Sequence, residues 1–326
     1  MTDDRLPLSV LTGFLGGGKT TLLNRLLRHP DMGETAVVVN EFGEIGIDNA
    51  LLVGSSDQVL LLESGCLCCA VRGDLLHTLG ELMAKRKAGA VPPFRRVVIE
   101  TTGLADPAPI LQSLMTDTMM LNHFRLAPVV TVVDGYHGAR ALDEHAEAVK
   151  QVALADRLVL TKADIATAGA IAALRVRLSA LNPAAPLIDA VQEDFVPEAL
   201  FGATDFSAGG KLAELQLWLE AHSGSQVHAR DIRAHCLSFD APLGWESVAQ
   251  WLDQLALDHG EQLLRVKGLL NVRGQEEPVV IHGVHHLFHP PSTLPAWPDG
   301  DRRSRLVFIV RNLEKAALLA GAPSGG

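Results

Sequence analysis

Cysteine is scarce in this chain of 326 residues, and three of the four present, Cys66, Cys68 and Cys69, fall within four positions. Such spacing builds no disulfide framework. It points to a reducing compartment, where clustered thiols serve metal or redox chemistry. A basic stripe is missing too: 28 Lys and Arg face 38 Asp and Glu, for a formal net charge of −10 at pH 7, which argues against a nucleic-acid partner. No apolar run reaches membrane-spanning length, and Met1-Thr2-Asp3-Asp4 is acidic where a secretory signal would be basic. A soluble, cytoplasmic protein with no membrane partner is expected. No internal repeat occurs. Hydrophobic residues are plentiful at 48%, so a core is easily buried, and the length suits two domains rather than one.

The most informative stretch is Leu8 to Leu27. An apolar run of strand length feeds Gly13-Phe14-Leu15-Gly16-Gly17-Gly18-Lys19-Thr20-Thr21, after which leucines recur at helical spacing. Gly13, Gly18, Lys19 and Thr20 fit G-x-x-x-x-G-K-[ST], the phosphate-binding P-loop, in the strand-loop-helix context it needs. Glycines, Gly16 and Gly17 among them, let successive N–H groups turn toward phosphate oxygens at a helix N-terminus. Lys19 is then the catalytic cation for the β- and γ-phosphates, and the Thr20 hydroxyl a ligand of Mg²⁺.

Further strands are predicted at Thr35–Val39, Val59–Leu62, Arg96–Ile99, Pro128–Val133 and Arg157–Leu160, with helices at Asp74–Arg86 and Ile165–Leu181. Alternating strands and helices predict a parallel sheet covered on both faces. Residues 207–230, with Gly209-Gly210, a short helix near Leu212–Leu219 and Ser223-Gly224-Ser225, break the rhythm and mark a linker. The expected domains are 1–206 and 231–326. In the second, strands come in runs (Ile232–Phe239, Leu263–Val272, Val279–Gly283, Leu306–Val310) with helices at Trp245–Leu257 and Leu313–Ala320, which predicts a smaller α+β module with an antiparallel sheet.

Glu100 closes an apolar strand at the edge that carries the P-loop, where a carboxylate either holds Mg²⁺ through a water or orients the attacking water. Gly103 is placed to bond the γ-phosphate through its N–H. Thr161-Lys162-Ala163-Asp164 fits [NT]-K-x-D: the Asp164 carboxylate accepts from N1 and the 2-amino group of guanine while the Lys162 stem covers the base, which favours GTP. Asp164 as the cap of the following helix is the competing structural reading. Cys66, Cys68 and Cys69 precede a helix that would favour their thiolates, and thiolates suit tetrahedral Zn²⁺. In extended backbone Cys69 points away from the other two, so two or three sulfurs plus an outside donor are expected. Glu41, in the loop Asn40-Glu41-Phe42-Gly43-Glu44-Ile45-Gly46, is the best candidate for that donor. Burial as small hydrophobes and redox sensing stay open for the thiols.

The P-loop run, Asn40-Glu41-Phe42-Gly43-Glu44, Gly65-Cys66-Leu67-Cys68-Cys69 and Glu100-Thr101-Thr102-Gly103-Leu104-Ala105-Asp106-Pro107 together resemble the CobW-type metallochaperone GTPases, relatives of the nickel-insertion GTPases of hydrogenase and urease. Leu264 to Gly268, Gly283-Val284-His285-His286 and Asp301 to Val307 resemble that family's carboxy-terminal domain. The resemblance implies a P-loop GTPase domain followed by a CobW C-terminal-like domain. It implies binding of GTP with Mg²⁺, a hold on Zn²⁺ or a similar ion such as Co²⁺ through the cysteines, slow hydrolysis of GTP, and delivery of the metal to a client metalloprotein. A homo-oligomer is left open. The chain departs from the family in lacking a histidine-rich tract between the domains, where only His222 and His228 stand, with His235 beyond. His285, His286 and His289 are not placed in the metal site. Two other functions compete: a GTP-using metal- or redox-responsive regulator that transfers no ion, and a P-loop kinase or ATPase acting on a small molecule.

Overall fold

The computed structural model describes residues 4–40, 60–63, 71–191, 196–202, 232–298 and 300–323. The chain divides into two compact units, and its strands form two separate sheets. The amino-terminal stretch alternates β1 (Leu6–Gly13), α1 (Lys19–Leu27), β2 (Thr35–Asn40), β3 (Leu60–Glu63), α2 (Val71–Lys87), β4 (Arg96–Thr101), α3 (Pro107–Thr116), α4 (Thr118–His123) and β5 (Phe124–Asp134). It continues through α5 (Gly138–Glu144), α6 (Ala146–Leu154), β6 (Arg157–Thr161), α7 (Ala168–Leu181), β7 (Leu187–Asp189) and α8 (Glu198–Phe201).

Seven strands pair in the order β3-β2-β4-β1-β5-β6-β7, every pair parallel. The aliphatic side chains of β1, β2, β4, β5 and β6 are mostly buried on both faces, the pattern a helix-covered parallel sheet requires. On one face Leu22, Leu23, Leu26 and Leu27 of α1 pack with Leu11, Val37, Val98, Val130, Val132 and Val159. Burying each leucine contributes about 1.5–3 kcal/mol. The alternate residues of β5 face α5 and α6: the Thr131 hydroxyl donates to the Gln151 carbonyl at 2.7 Å, and a Cβ on Gly138 would sit 2.9 Å from Val133. All the parallel strands deliver their carboxyl ends, and the loops that follow them, to one edge.

Several boundaries differ from the sequence reading, two of them for identifiable reasons. β5 starts at Phe124, upstream of Pro128, because the register slips between Leu8 and Val10 of β1, so that Ala127-Pro128 form a bulge where the missing proline N–H breaks no ladder. The helix expected from Ile165 begins at Ala168, where the Thr167 hydroxyl accepts from the Ala170 N–H at 3.3 Å; the β-branched Ile165 lies in the turn before it.

The carboxy-terminal elements are β8 (Ile232–Phe239), α9 (Trp245–His259), β9 (Leu263–Leu270), β10 (Val279–Val284), β11 (Leu287–Phe288), β12 (Ser292–Thr293), β13 (Ser304–Arg311) and α10 (Lys315–Leu319). Their sheet runs β11-β10-β9-β13-β8 with β12 on β10, all antiparallel, as the α+β expectation has it. Trp251 anchors the core edge-to-face against Phe239 and Phe308, at 5.9 and 5.8 Å between ring centroids, and its indole N–H donates to the Leu318 carbonyl at 3.0 Å. The expected linker 207–230, with its short helix, lies outside the described residues.

Candidate nucleotide site

The loop between β1 and α1 takes the glycine-dependent conformation its sequence suggests. Gly13, Gly16 and Gly18 have φ of 143°, 69° and 88°, a region L side chains avoid. At Gly13 a Cβ would also run into the Val132 carbonyl. The α1 N-terminus has no side-chain cap, so its first-turn N–H groups are available to an anion. Two outer carbonyls of the loop are tied down from β6: Thr161 donates through its hydroxyl to the Gly17 oxygen and Lys162 through Nζ to the Gly16 oxygen, each at 2.7 Å. With the Gly17 carbonyl held outward, the Gly18 N–H across the same trans peptide points the other way. The Lys19 ammonium lies over the loop, donating to the carbonyls of Gly13 at 2.9 Å and Phe14 at 3.4 Å. Thr21 is exposed on the first turn of α1.

Glu100, nearly at the end of β4, is buried beside Leu11 of β1 and Val39 of β2. Its Oε1 accepts from the Thr20 hydroxyl at 2.7 Å, which brings together two oxygens predicted for one cation site. Just beyond, the Ala105 N–H bonds the Thr102 carbonyl at 3.1 Å and closes a turn over Gly103. A Cβ at Gly103 would lie 2.7 Å from both the nitrogen and the Cα of Leu15. Only glycine lets this turn rest against the P-loop.

On the opposite side of that turn stands α6. Gln151, buried, donates through Nε2 to the carbonyls of Gly103 at 3.1 Å and Ala105 at 2.9 Å. The Lys150 ammonium pairs with Asp106 at 2.6 Å, and Asp106 caps α3 by accepting from the Ala108 N–H at 3.0 Å. Sequence reasoning did not single out these two α6 residues. The available signal was a glutamine on an otherwise apolar helix face.

Asp134 closes β5. It accepts from Lys162 at 2.7 Å and from the N–H groups of Tyr136 at 2.8 Å and His137 at 2.9 Å. Burial pushes its carboxyl up, but the lysine and the two backbone donors outweigh burial and hold it below the usual carboxylate range. Lys162 adopts φ 53°, a left-handed conformation stabilised by its ties to Gly16 and Asp134. Asp164 is exposed and precedes the capped helix start by several residues, so the capping reading fails for it and base recognition remains.

Cys66, Cys68, Cys69 and Glu41 lie outside the described residues, as do His222 and His228. Among the described residues no group of three or more His, Cys, Asp and Glu could hold a metal ion. Cys236, on β8, is half-buried and in no disulfide among the described residues, and no described helix is long and apolar enough to cross a membrane.

Comparison with known proteins agrees with this geometry. Residues 7–189 match the CobW/HypB/UreG nucleotide-binding domain and residues 232–321 the cobalamin synthesis protein CobW C-terminal domain. The chain is 32% identical over 304 residues to the zinc chaperone YjiA of Escherichia coli, covering 93% of both chains. It is 31% identical over 350 residues to the zinc chaperone CobW of Pseudomonas aeruginosa, covering 96% of this chain and 90% of that one. The crystal structure of zinc(II)-bound YjiA GTPase from E. coli superposes with a TM-score of 0.71 at 26% identity, over 98% of each chain.

Proposed function

Because this chain belongs to the CobW/HypB/UreG family of nucleotide-binding proteins, we propose that it is a GTPase that works as a GTP-dependent zinc chaperone. The observation that carries the reading is the 2.7 Å bond between Thr20 and Glu100 at the mouth of a P-loop. Two hard oxygen donors side by side next to a phosphate cradle fit Mg²⁺. When bound, that ion neutralises charge on the β- and γ-phosphates. The protein's own groups do the rest. Lys19 carries its ammonium on a flexible stem from the Gly13 and Phe14 carbonyls to the phosphate oxygens. Gly103 donates its N–H to the γ-phosphate. Glu100 either orients the attacking water or holds the cation through one. Lys162 covers the guanine face, and Asp164 accepts from N1 and the 2-amino group, a donor pair adenine lacks.

Zinc is the cargo. Cys66, Cys68 and Cys69 supply thiolates at the carboxyl end of β3, and Glu41, following β2, supplies the outside donor. These two strands pair directly, which supports bringing the two segments to one ion. GTP orders the segments around Glu41 and Gly103 and raises metal affinity; by linkage, metal tightens GTP binding by the same factor. Slow hydrolysis then loosens the ion for transfer to a client metalloprotein. The proposed division into a GTPase domain of 1–206 and a carboxy-terminal domain from 231 is supported by the two matched segments. The test is zinc titration of the reduced protein with GDP and with a non-hydrolysable GTP analogue, repeated on Cys66→Ala and Cys68→Ala. The analogue should tighten zinc binding and either substitution should weaken it; an identical zinc Kd in both nucleotide states rejects the coupling.

A further inference from the structure

α6 packs on the face of the first sheet opposite α1, and its one buried polar side chain reaches the turn that follows β4. Gln151 has two N–H bonds to give, and both go to that turn, to the carbonyls of Gly103 and Ala105. With two carbonyls on that side, the nitrogen and not the oxygen must face the turn. Among the described residues no donor reaches the Gln151 Oε1, so the amide's polar tethers all lead to the turn. The helix is itself tied at this point, since the Thr131 hydroxyl donates to the Gln151 carbonyl at 2.7 Å. Lys150 adds a second hold through Asp106 at 2.6 Å. Gly103 is therefore pressed between the Leu15 backbone on one side and a glutamine amide on the other.

We propose that Gln151, assisted by Lys150, is the positioning residue of the GTPase reaction: it fixes the peptide planes around Gly103 so that the Gly103 N–H meets the γ-phosphate. Fixing the Gly103 carbonyl leaves its N–H little freedom, because the turn is already closed by the Thr102 to Ala105 bond. Donors aligned before the reaction stabilise charge without a reorganisation penalty. The clamp acts on GTP and not on GDP, since only GTP presents the oxygen that Gly103 would contact. It lies along a cavity of about 260 Å³ lined by Gln151, Thr131, Val133 and Phe14 to Gly17.

The inference rests on the reading of Gly103 as a γ-phosphate contact; Gly103→Ala, whose Cβ would meet the Leu15 backbone and shift the turn, tests that reading by its GTP-over-GDP discrimination while leaving the Gln151 amide in place. Gln151→Glu tests the clamp, since it keeps the shape and removes both donors. Steady-state GTP hydrolysis by the full chain should show kcat lowered about tenfold or more at pH 8. Affinity for a GTP analogue should fall while affinity for GDP stays within about twofold. Part of kcat should return toward pH 6, because a buried carboxyl protonates readily and regains one donor, a pH signature that a loss of packing would not produce. Wild-type kcat and GTP-to-GDP discrimination in a folded Gln151→Glu protein overturn the proposal. If that variant does not fold, Lys150→Met and Thr131→Val decide: each should lower kcat about threefold, and wild-type values in both overturn it equally. Should Gly103→Ala prove silent, the γ-phosphate reading falls; should it be impaired while the α6 variants are normal, only the clamp falls.

Discussion

The two sheets of this protein handle their polar residues in opposite ways. In the parallel sheet the polar groups of the candidate site lie at strand ends: Gly13 through Thr20 at the end of β1 and after it, Glu100 to Gly103 at the end of β4, Asp134 closing β5 and Thr161 to Asp164 at the end of β6 and after it. Because all strands run one way, residues far apart in sequence meet, as Thr20 meets Glu100 and Lys162 meets both Gly16 and Asp134. In the antiparallel sheet strand ends alternate between edges, and one of its charge clusters is satisfied locally. Asp301 is held by Arg303, two residues away, and by Arg305, four away; hydrogen bonds from Arg303 and then the Arg305 charge keep its carboxyl low. One sheet gathers distant chemistry at a single edge, while the other scatters its polar ties, Arg233 with Glu314 and Arg303 with Asp240 among them, and is built around an aromatic core.

That contrast breaks most readily at the P-loop. Lys19→Ala should lower kcat/KM for GTP by about 100-fold or more with little change in melting temperature; steady-state phosphate release checks the first and thermal denaturation the second. The converse comes from the other sheet. Trp251→Ala removes a buried ring and leaves the Leu318 carbonyl without the indole donor, so it should lower unfolding stability by about 3–5 kcal/mol in urea titrations while folded protein still binds GTP. Comparable damage to both properties would mean the sheets are not functionally separable. Asp164→Asn should weaken GTP binding by about 10- to 100-fold and narrow its advantage over ATP, as read by competition with a fluorescent nucleotide.

The smallest effect concerns pH. His235 lies partly buried on β8, with its Nε2 3.0 Å from the Leu313 carbonyl. Burial pushes its pKa below the ordinary 6.5, against the pull of that carbonyl and of Glu314. The unfolded chain therefore binds more protons between the two values. Stability from this group is complete above pH 6.5 and erodes as pH falls through the folded value. Unfolding free energies from urea titrations at pH 7.5 and pH 5.5 should differ by less than about 1 kcal/mol on this account, and His235→Gln should remove the difference.

The phosphate loop was legible because its glycines, lysine and threonine are contiguous and each answers a local demand. The ends of β8 and the start of α9 were equally plain, since aliphatic runs and turn residues delimit them. What escaped was non-local. β7 is three residues long and owes its place to pairing with β6, and the extension of β5 across Pro128 depends on a bulge against β1. Gln151 sits in an unremarkable helical run, and its role exists only because α6 comes to lie against a turn that follows another strand. Asp164 had two readings by spacing alone, and the helix beginning at Ala168 removed one of them.

The ties from Thr161 and Lys162 to the Gly17 and Gly16 carbonyls carry a practical warning for anyone re-engineering nucleobase preference. The segment proposed to choose the base also braces the loop proposed to cradle the triphosphate, so on that proposal altering either of those two positions would slacken grip and selectivity together. If Asp164 reads the base as proposed, then, exposed and outside that bracing, it is the position where the base could be exchanged without loosening the hand that holds the phosphates.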